Sequence, residues 1–135
     1  MSDRSAPRPR RRVIVAEDDP FMRQLVVAAL EREGYVVEEV RSGIGLHDEL
    51  FSRITRGDVP ALIISDIQMP VLDGLEVVRR LRAWGEKVPV IIMTAYADEQ
   101  TLASAAEAGV DAVLAKPFTM TELCTTAQRL VPSNH

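Results

Sequence analysis

Residues 12–20 read RVIVAEDDP, and the fold is decided by the change of pattern within this stretch. The segment 12–16 is a β-branched apolar run with the length of a buried strand. Asp19 and Pro20 then mark the start of a helix, with Asp19 as its N-cap and proline at the first helical position. Two further acidic residues lie between the run and the cap. The stretch therefore predicts a strand followed closely by a helix, with carboxylates at the junction.

The same alternation of apolar run and helical segment continues along the chain. It predicts five strands, at 12–16, 35–40, 61–65, 88–93 and 110–115, and five helices, at 19–33, 42–54, about 75–84, 98–108 and 119–131. Strands that read as continuous apolar runs between helices indicate a parallel sheet covered on both faces. With right-handed crossovers, the prediction is a doubly wound α/β fold.

The composition fits one folded domain. The chain has 135 residues, of which 47% are hydrophobic and 27% charged, and its single cysteine excludes an intrachain disulfide. Residues 1–11 are rich in Arg and Pro, so we expect a disordered tail there, a folded domain over 12–131 and a short tail over 132–135. No uncharged stretch is long enough to span a membrane, and no signal-peptide pattern follows the N-terminal arginines. We therefore expect a cytoplasmic protein without a membrane segment.

The folded part of the chain is acidic. Residues 1–12 hold five arginines and one aspartate, which leaves 11 basic and 19 acidic residues in 13–135, a net charge of −8. This charge disfavours general binding of nucleic acid. We expect no direct DNA binding by this chain.

Residues suited to phosphate and metal chemistry stand at the ends of the predicted strands. Strand one is followed by Glu17 and Asp18, strand three by Asp66, strand four by Thr94 and strand five by Lys116. In a doubly wound fold these ends meet at one edge, where the working site lies. Clustered carboxylates repel one another unless a cation lies among them, and all-oxygen ligands favour Mg²⁺. A hydroxyl and an ammonium group beside an aspartate suit the site to transfer of a phosphoryl group.

Four segments resemble the receiver domains of bacterial two-component response regulators. They are VIVAEDDP (13–20), SDIQMPVLDG (65–74), VIIMTAYA (90–97) and LAKPF (114–118), in this order and each at a strand end. The resemblance covers residues 12–131. It implies a flavodoxin-like fold with strand order 2-1-3-4-5.

The resemblance implies three residues that act on the phosphoryl group. Asp66 resembles the aspartate that accepts it, Thr94 the switch hydroxyl that binds it, and Lys116 the lysine that pairs with it. The bond between Lys116 and Pro117 resembles the family's cis peptide. One departure concerns the switch, because Val113 stands where many receivers carry an aromatic residue. The implied donor is a phosphohistidine of a sensor histidine kinase or of a histidine phosphotransfer protein.

The resemblance also implies a metal site and a readout surface. Asp18 resembles the direct ligand of Mg²⁺ and Glu17 its acidic partner, with Asp66 and the backbone carbonyl of Gln68 as further ligands. Output is expected to be the binding of a downstream protein by the face of helix four, strand five and helix five. The chain is expected to be a signalling receiver and not an enzyme, apart from promoting its own phosphoryl transfer and dephosphorylation.

Two other classes of function remain as alternatives. A metal-dependent phosphate-ester hydrolase of a related doubly wound fold needs a second aspartate two residues after the nucleophile, and Gln68 stands there. A flavodoxin-like cofactor carrier needs a loop rich in Ser, Thr or Gly after the first strand. The acidic residues at 17–19 would repel a phosphate from that position.

Overall fold

Five strands alternate with five helices in the computed structural model, which describes residues 10–133. The strands are β1 (Arg12–Ala16), β2 (Val36–Val40), β3 (Leu62–Asp66), β4 (Val90–Thr94) and β5 (Ala112–Ala115). The helices are α1 (Pro20–Arg32), α2 (Gly43–Thr55), α3 (Gly74–Ala83), α4 (Glu99–Ala108) and α5 (Met120–Leu130). Most of the tail expected at 1–11, and the last two residues of the tail at 132–135, lie outside the described residues, and the domain limits stay a prediction.

All five strands form one parallel sheet in the order β2-β1-β3-β4-β5. This confirms the predicted doubly wound α/β fold and its strand order. Neighbouring residues of β3 show the two covered faces: Ile63 packs in the apolar cluster under α2, α3 and α4, and Ile64 packs in the cluster under α1 and α5. Burial on both faces explains why the strands read as continuous apolar runs. None of the helices within residues 10–133 combines the length and the hydrophobicity that a membrane crossing requires.

Several strand boundaries lie one or two residues from the positions predicted from the sequence. β3 and β4 each extend one residue further than predicted, so Asp66 and Thr94 are the last residues of their strands. β4 begins later than predicted, because Pro89 has no N–H to donate to a ladder. β5 also begins later, since the carboxylate of Asp111 accepts the N–H of Val90 at 2.8 Å.

Each helix begins at a residue whose side chain accepts a hydrogen bond from the first turn. These caps are Asp19, Ser42, Asp73, Asp98 and Thr119. Thr119 forms the predicted capping box with Glu122. Because the caps follow the strands closely, they fix the lengths of the loops at the carboxyl edge of the sheet.

Three apolar residues of α1 and α2 are exposed. Leu25 is 42%, Ile44 45% and Phe51 54% exposed. Each lies at the border of the apolar stripe of its helix, where helical spacing alone does not determine whether a side chain points toward the core or toward solvent. Phe51 packs instead against Trp84 at the end of α3, with ring centroids 5.7 Å apart.

The loop between β3 and α3, residues 67–73, is packed against its surroundings through two glycines. A Cβ at Gly74 would lie 2.3 Å from the carbonyl oxygen of Asp66, and a Cβ at Gly43 would lie 1.6 Å from that of Leu72. No side chain larger than hydrogen fits at either distance. The loop that follows Asp66 is therefore held tightly against both β3 and the start of α2.

Candidate functional site

The carboxyl ends of β1 and β3 bring three carboxylates together. Glu17, Asp18 and Asp66 each offer one carboxylate oxygen, and these three atoms lie within 4.8 Å of one another. Glu17 is fully buried and Asp66 is nearly so, whereas Asp18 is exposed. The predicted acidic cluster is thus present, with one member open to solvent.

Lys116 connects two of these carboxylates. Its Nζ donates to Glu17 Oε1 at 2.9 Å and to Asp66 Oδ2 at 2.9 Å. The backbone N–H of Lys116 donates to the carbonyl of Thr94 at 2.8 Å, and the following bond to Pro117 is cis, as the family resemblance implied. The lysine expected to pair with a phosphoryl group therefore already pairs with the expected acceptor.

The electrostatics of the site favour an additional cation. Burial raises the pKa of Glu17 to about 7. The neighbouring charge of Asp66 also raises this pKa, whereas the hydrogen bond from Lys116 lowers it. Burial by itself lowers the pKa of Lys116, but its hydrogen bonds to Glu17 and Asp66 outweigh this and the pKa is raised. The cluster holds three carboxylates and one ammonium group, and every atom that it offers to a metal ion is an oxygen. This donor set fits Mg²⁺.

Both oxygens of Asp66 have partners. Oδ1 accepts the backbone N–H of Gln68 at 3.1 Å, while Oδ2 accepts from Lys116. The loop that follows Asp66 borders a cleft of about 450 Å³, whose lining includes Asp18, Gln68 and Asp73. The acceptor predicted from the sequence is therefore oriented by a loop that itself lines an open cleft. The predicted metal-ligand role of the Gln68 carbonyl stays a prediction.

Thr94 ends the neighbouring strand as a fully buried residue. Its Oγ1 accepts the backbone N–H of Tyr96 at 3.0 Å, which leaves the hydroxyl proton for another acceptor. Tyr96 is 62% exposed. Val113 lies on β5 directly beside Ile92 and packs against the apolar core. The structure thus connects the Thr94 hydroxyl to the main chain of the following loop.

Arg23 of α1 also contacts the site, although no motif in the sequence includes it. Its Nη1 donates to the backbone carbonyl of Glu17 at 2.7 Å, and its side chain is 7% exposed. The sequence does contain a signal, because position 23 precedes Val26 and Val27 by three and four residues. An arginine on the apolar stripe of a helix indicates a buried polar partner.

Residues 13–128 match the protein family described as "Response regulator receiver domain". Response regulator MprA of Mycobacterium avium (strain 104) is 34% identical over 120 residues, which are 89% of this chain and 50% of that protein. The chain thus spans about half the length of the curated relatives that it matches.

Solved structures with the same fold agree with this match. The Francisella response regulator 1452 receiver domain has a TM-score of 0.79 and 27% identity, covering 89% of this chain and 95% of that one. The chemotaxis protein CheY4 of Vibrio cholerae has a TM-score of 0.81 and 26% identity, covering 91% and 100%. The folded part of the chain is therefore similar over most of its length to receiver domains of known structure.

Proposed function

We propose a phosphorylation-switched signalling function for this chain, which belongs to the response regulator receiver domain family. In this proposal Asp66 accepts a phosphoryl group from a phosphohistidine of a partner, and a downstream protein binds the altered surface. One observation supports it above the others: a nearly buried aspartate at the end of β3 is hydrogen-bonded to Lys116 inside a cluster of carboxylates.

The proposed transfer exchanges one bond to phosphorus for another. A carboxylate oxygen of Asp66 forms the new P–O bond while the P–N bond of the phosphohistidine breaks. The electron pair of the broken bond stays on the imidazole nitrogen, which takes up a proton and leaves as neutral histidine. Lys116 and the Thr94 hydroxyl offer hydrogen-bond donors to the oxygens of the transferred phosphoryl group. The negative charge of the product is therefore stabilised by groups that are already in place.

Mg²⁺ is the metal that these residues fit. We propose that Asp18 and Asp66 would hold it, with Glu17 as an acidic partner and the backbone carbonyl of Gln68 as a further ligand. When bound, the ion neutralises charge on the phosphoryl oxygens. The support is the all-oxygen donor set and the excess of carboxylates over ammonium groups in the cluster.

The proposed partners follow from the chemistry of the donor and from the fold. A sensor histidine kinase or a histidine phosphotransfer protein supplies the phosphohistidine, and we propose that it meets this chain in the cytoplasm. The downstream protein binds the face formed by α4, β5 and α5. Leu102 of α4 is 44% exposed and gives α4 an apolar contact point.

Incubation with acetyl phosphate and Mg²⁺, followed by intact-mass measurement, tests the proposed function. The expected result is one added phosphoryl group per chain, and none when Mg²⁺ is chelated before acetyl phosphate is added. A chain that gains no mass from acetyl phosphate or from a phosphorylated histidine phosphotransfer protein contradicts the proposal. Measuring release of inorganic phosphate from a simple phosphate ester in the same buffer tests the alternative of a hydrolase.

Activation is predicted to move residues 95–100 more than any side chain of β5. The hydroxyl of Thr94 is hydrogen-bonded to the main chain of Tyr96, so a shift of Thr94 toward a phosphoryl group displaces this loop and the start of α4. Val113 is β-branched, so its χ1 angle is restricted and it cannot swing as a ring does. Amide chemical shifts measured with and without a phosphoryl mimic check this. Large changes confined to β5, with residues 95–100 unmoved, would contradict it.

Tyr96→Ala is predicted to speed loss of the phosphoryl group. The family resemblance places Gln68 and Tyr96 at the border of the path by which water attacks phosphorus. A neutral phenol is a poor base, so the ring of Tyr96 is expected to shield the phosphoryl group and not to activate water. Tyr96→Phe keeps the ring and is expected to retain the wild-type lifetime. Decay followed by intact mass checks both variants, and slower decay in Tyr96→Ala would show that Tyr96 positions water.

A further inference from the structure

We infer that Arg23 is a positioning residue for the Mg²⁺ site, because it holds the backbone at Glu17 from which Asp18 projects. The inference rests on the proposed function, since it concerns the metal that this function uses. It adds a residue outside the acidic cluster, on the first turns of α1, to the groups that determine how tightly the cation binds.

The guanidinium of Arg23 joins two elements at the site. Nη1 donates to the carbonyl oxygen of Glu17 at 2.7 Å, and Nε donates to Oε1 of Glu39 on β2 at 2.9 Å. The side chain of Arg23 is 7% exposed, against 48% for Glu39. The planar guanidinium holds its donors in a rigid fork, so its two acceptors are fixed in direction relative to each other, whereas the donors of an ammonium group rotate.

Glu17 is held on three sides by these contacts. Its N–H donates to the carbonyl of Val40 at the end of β2, at 3.2 Å, and its carboxylate accepts from Lys116. Arg23 holds the remaining polar group, the carbonyl. The peptide that joins Glu17 to Asp18 is therefore fixed between β2 and α1.

Asp18 depends on this support more than its neighbours do. Within residues 10–133 its carboxylate accepts no hydrogen bond, and the residue is exposed, whereas Glu17 and Asp66 are both held by Lys116. The direction of the Asp18 carboxylate is consequently set by the backbone that carries it. Releasing the Glu17 carbonyl would release that backbone.

The direction in which Mg²⁺ affinity changes when Arg23 is replaced distinguishes a positioning role from a purely electrostatic one. Arg23 is a cation near an acidic cluster, and its removal would by Coulomb's law make the cluster more attractive to Mg²⁺. Loss of positioning has the opposite effect, because a misdirected Asp18 is a poorer ligand. Weaker Mg²⁺ binding after removal of a positive charge is therefore the signature of positioning.

Arg53 provides a matched control. It lies on α2, is 4% exposed, and pairs with Glu38, the residue of β2 next to Glu39. Its other partners are Glu49 and Asp58, so it connects a helix to the edge strand without a bond to the acidic cluster. Replacing Arg53 removes an arginine that is about as buried as Arg23 but breaks no contact with the acidic cluster.

The experiment is a Mg²⁺ titration of Arg23→Met and Arg53→Met, followed by amide chemical shifts, with urea denaturation to measure stability. Arg23→Met is expected to bind Mg²⁺ about tenfold more weakly than wild type, the size of effect typical of groups that orient metal ligands. Arg53→Met is expected to lose stability and keep the wild-type affinity. Arg23→Lys keeps the charge and is still expected to bind more weakly. It provides the same comparison if Arg23→Met does not fold.

Unchanged or tighter Mg²⁺ binding in the Arg23 variants overturns the inference. Equal weakening in the variants of Arg23 and Arg53 also overturns it, because the effect would then follow general stability. If the wild-type chain binds no Mg²⁺ at all, the proposed metal site fails, and the inference fails with it. Wild-type binding together with unaffected Arg23 variants overturns this inference alone.

Discussion

Asp66→Asn is expected to abolish uptake of a phosphoryl group and to leave the fold intact. The amide of asparagine is not a nucleophile at phosphorus, so no acyl phosphate forms at residue 66. Its side-chain oxygen can still accept from the Gln68 N–H, and Lys116 keeps its hydrogen bond to Glu17. Intact mass after incubation with acetyl phosphate and Mg²⁺ measures uptake, and circular dichroism checks the fold.

Asp73→Asn is the matched control for this variant. Asp73 lines the cleft together with Asp18 and Gln68, and it caps α3 by accepting the N–H of Glu76 at 2.9 Å, a role that asparagine performs equally well. Uptake by Asp73→Asn should therefore equal that of wild type. Normal stoichiometry of uptake in Asp66→Asn would show that another residue accepts the phosphoryl group.

Asp18→Ala is expected to weaken Mg²⁺ binding by at least about tenfold, with a matching loss of phosphoryl uptake. The same change removes one of three clustered carboxylates. Without Mg²⁺ its repulsion of Glu17 and Asp66 is relieved, so the free energy of unfolding should rise by up to about 1 kcal/mol, the scale of two charges near 4 Å in water. Titration with Mg²⁺ and urea denaturation in chelator measure the two effects.

Asp18→Asn separates the two contributions of this carboxylate. It keeps the size of the side chain and one oxygen ligand while it removes the charge. It should show the full gain in apo stability and an intermediate affinity for Mg²⁺. Wild-type Mg²⁺ affinity in Asp18→Ala would place the cation elsewhere.

The fold could be predicted from the sequence because burial on both faces of the sheet leaves a strong pattern. A continuous apolar run between helical segments, such as residues 12–16, is most simply explained by a strand that is buried on both faces. The caps at Asp19 and Thr119 mark the starts of their helices through local sequence alone. The strand-end motifs then located the acidic cluster. The starts of β4 and β5 were not predictable to the residue, since a neighbouring strand sets the limits of a ladder.

Contacts between distant segments could not be predicted in the same way. Arg23 and Arg53 owe their burial to Glu39 and Glu38 on β2, and a single sequence does not say which acid a buried arginine meets. The same holds for Lys116, whose hydrogen bonds to Glu17 and Asp66 span 99 and 50 residues of chain. Motif resemblance indicated that Lys116 belongs to the site, but only the folded structure gives its partners before phosphorylation.

Trapping of the acyl phosphate tests the central claim most directly. Borohydride reduces an aspartyl phosphate to homoserine with release of phosphate, so the phosphorylated residue acquires a permanent mass change that peptide sequencing by mass spectrometry can locate. After incubation with acetyl phosphate and Mg²⁺, homoserine is expected at position 66, and none is expected when Mg²⁺ is chelated. Homoserine at Asp18, at Asp73 or at any other position, with Asp66 intact, would contradict the assignment of Asp66 as the phosphoryl acceptor.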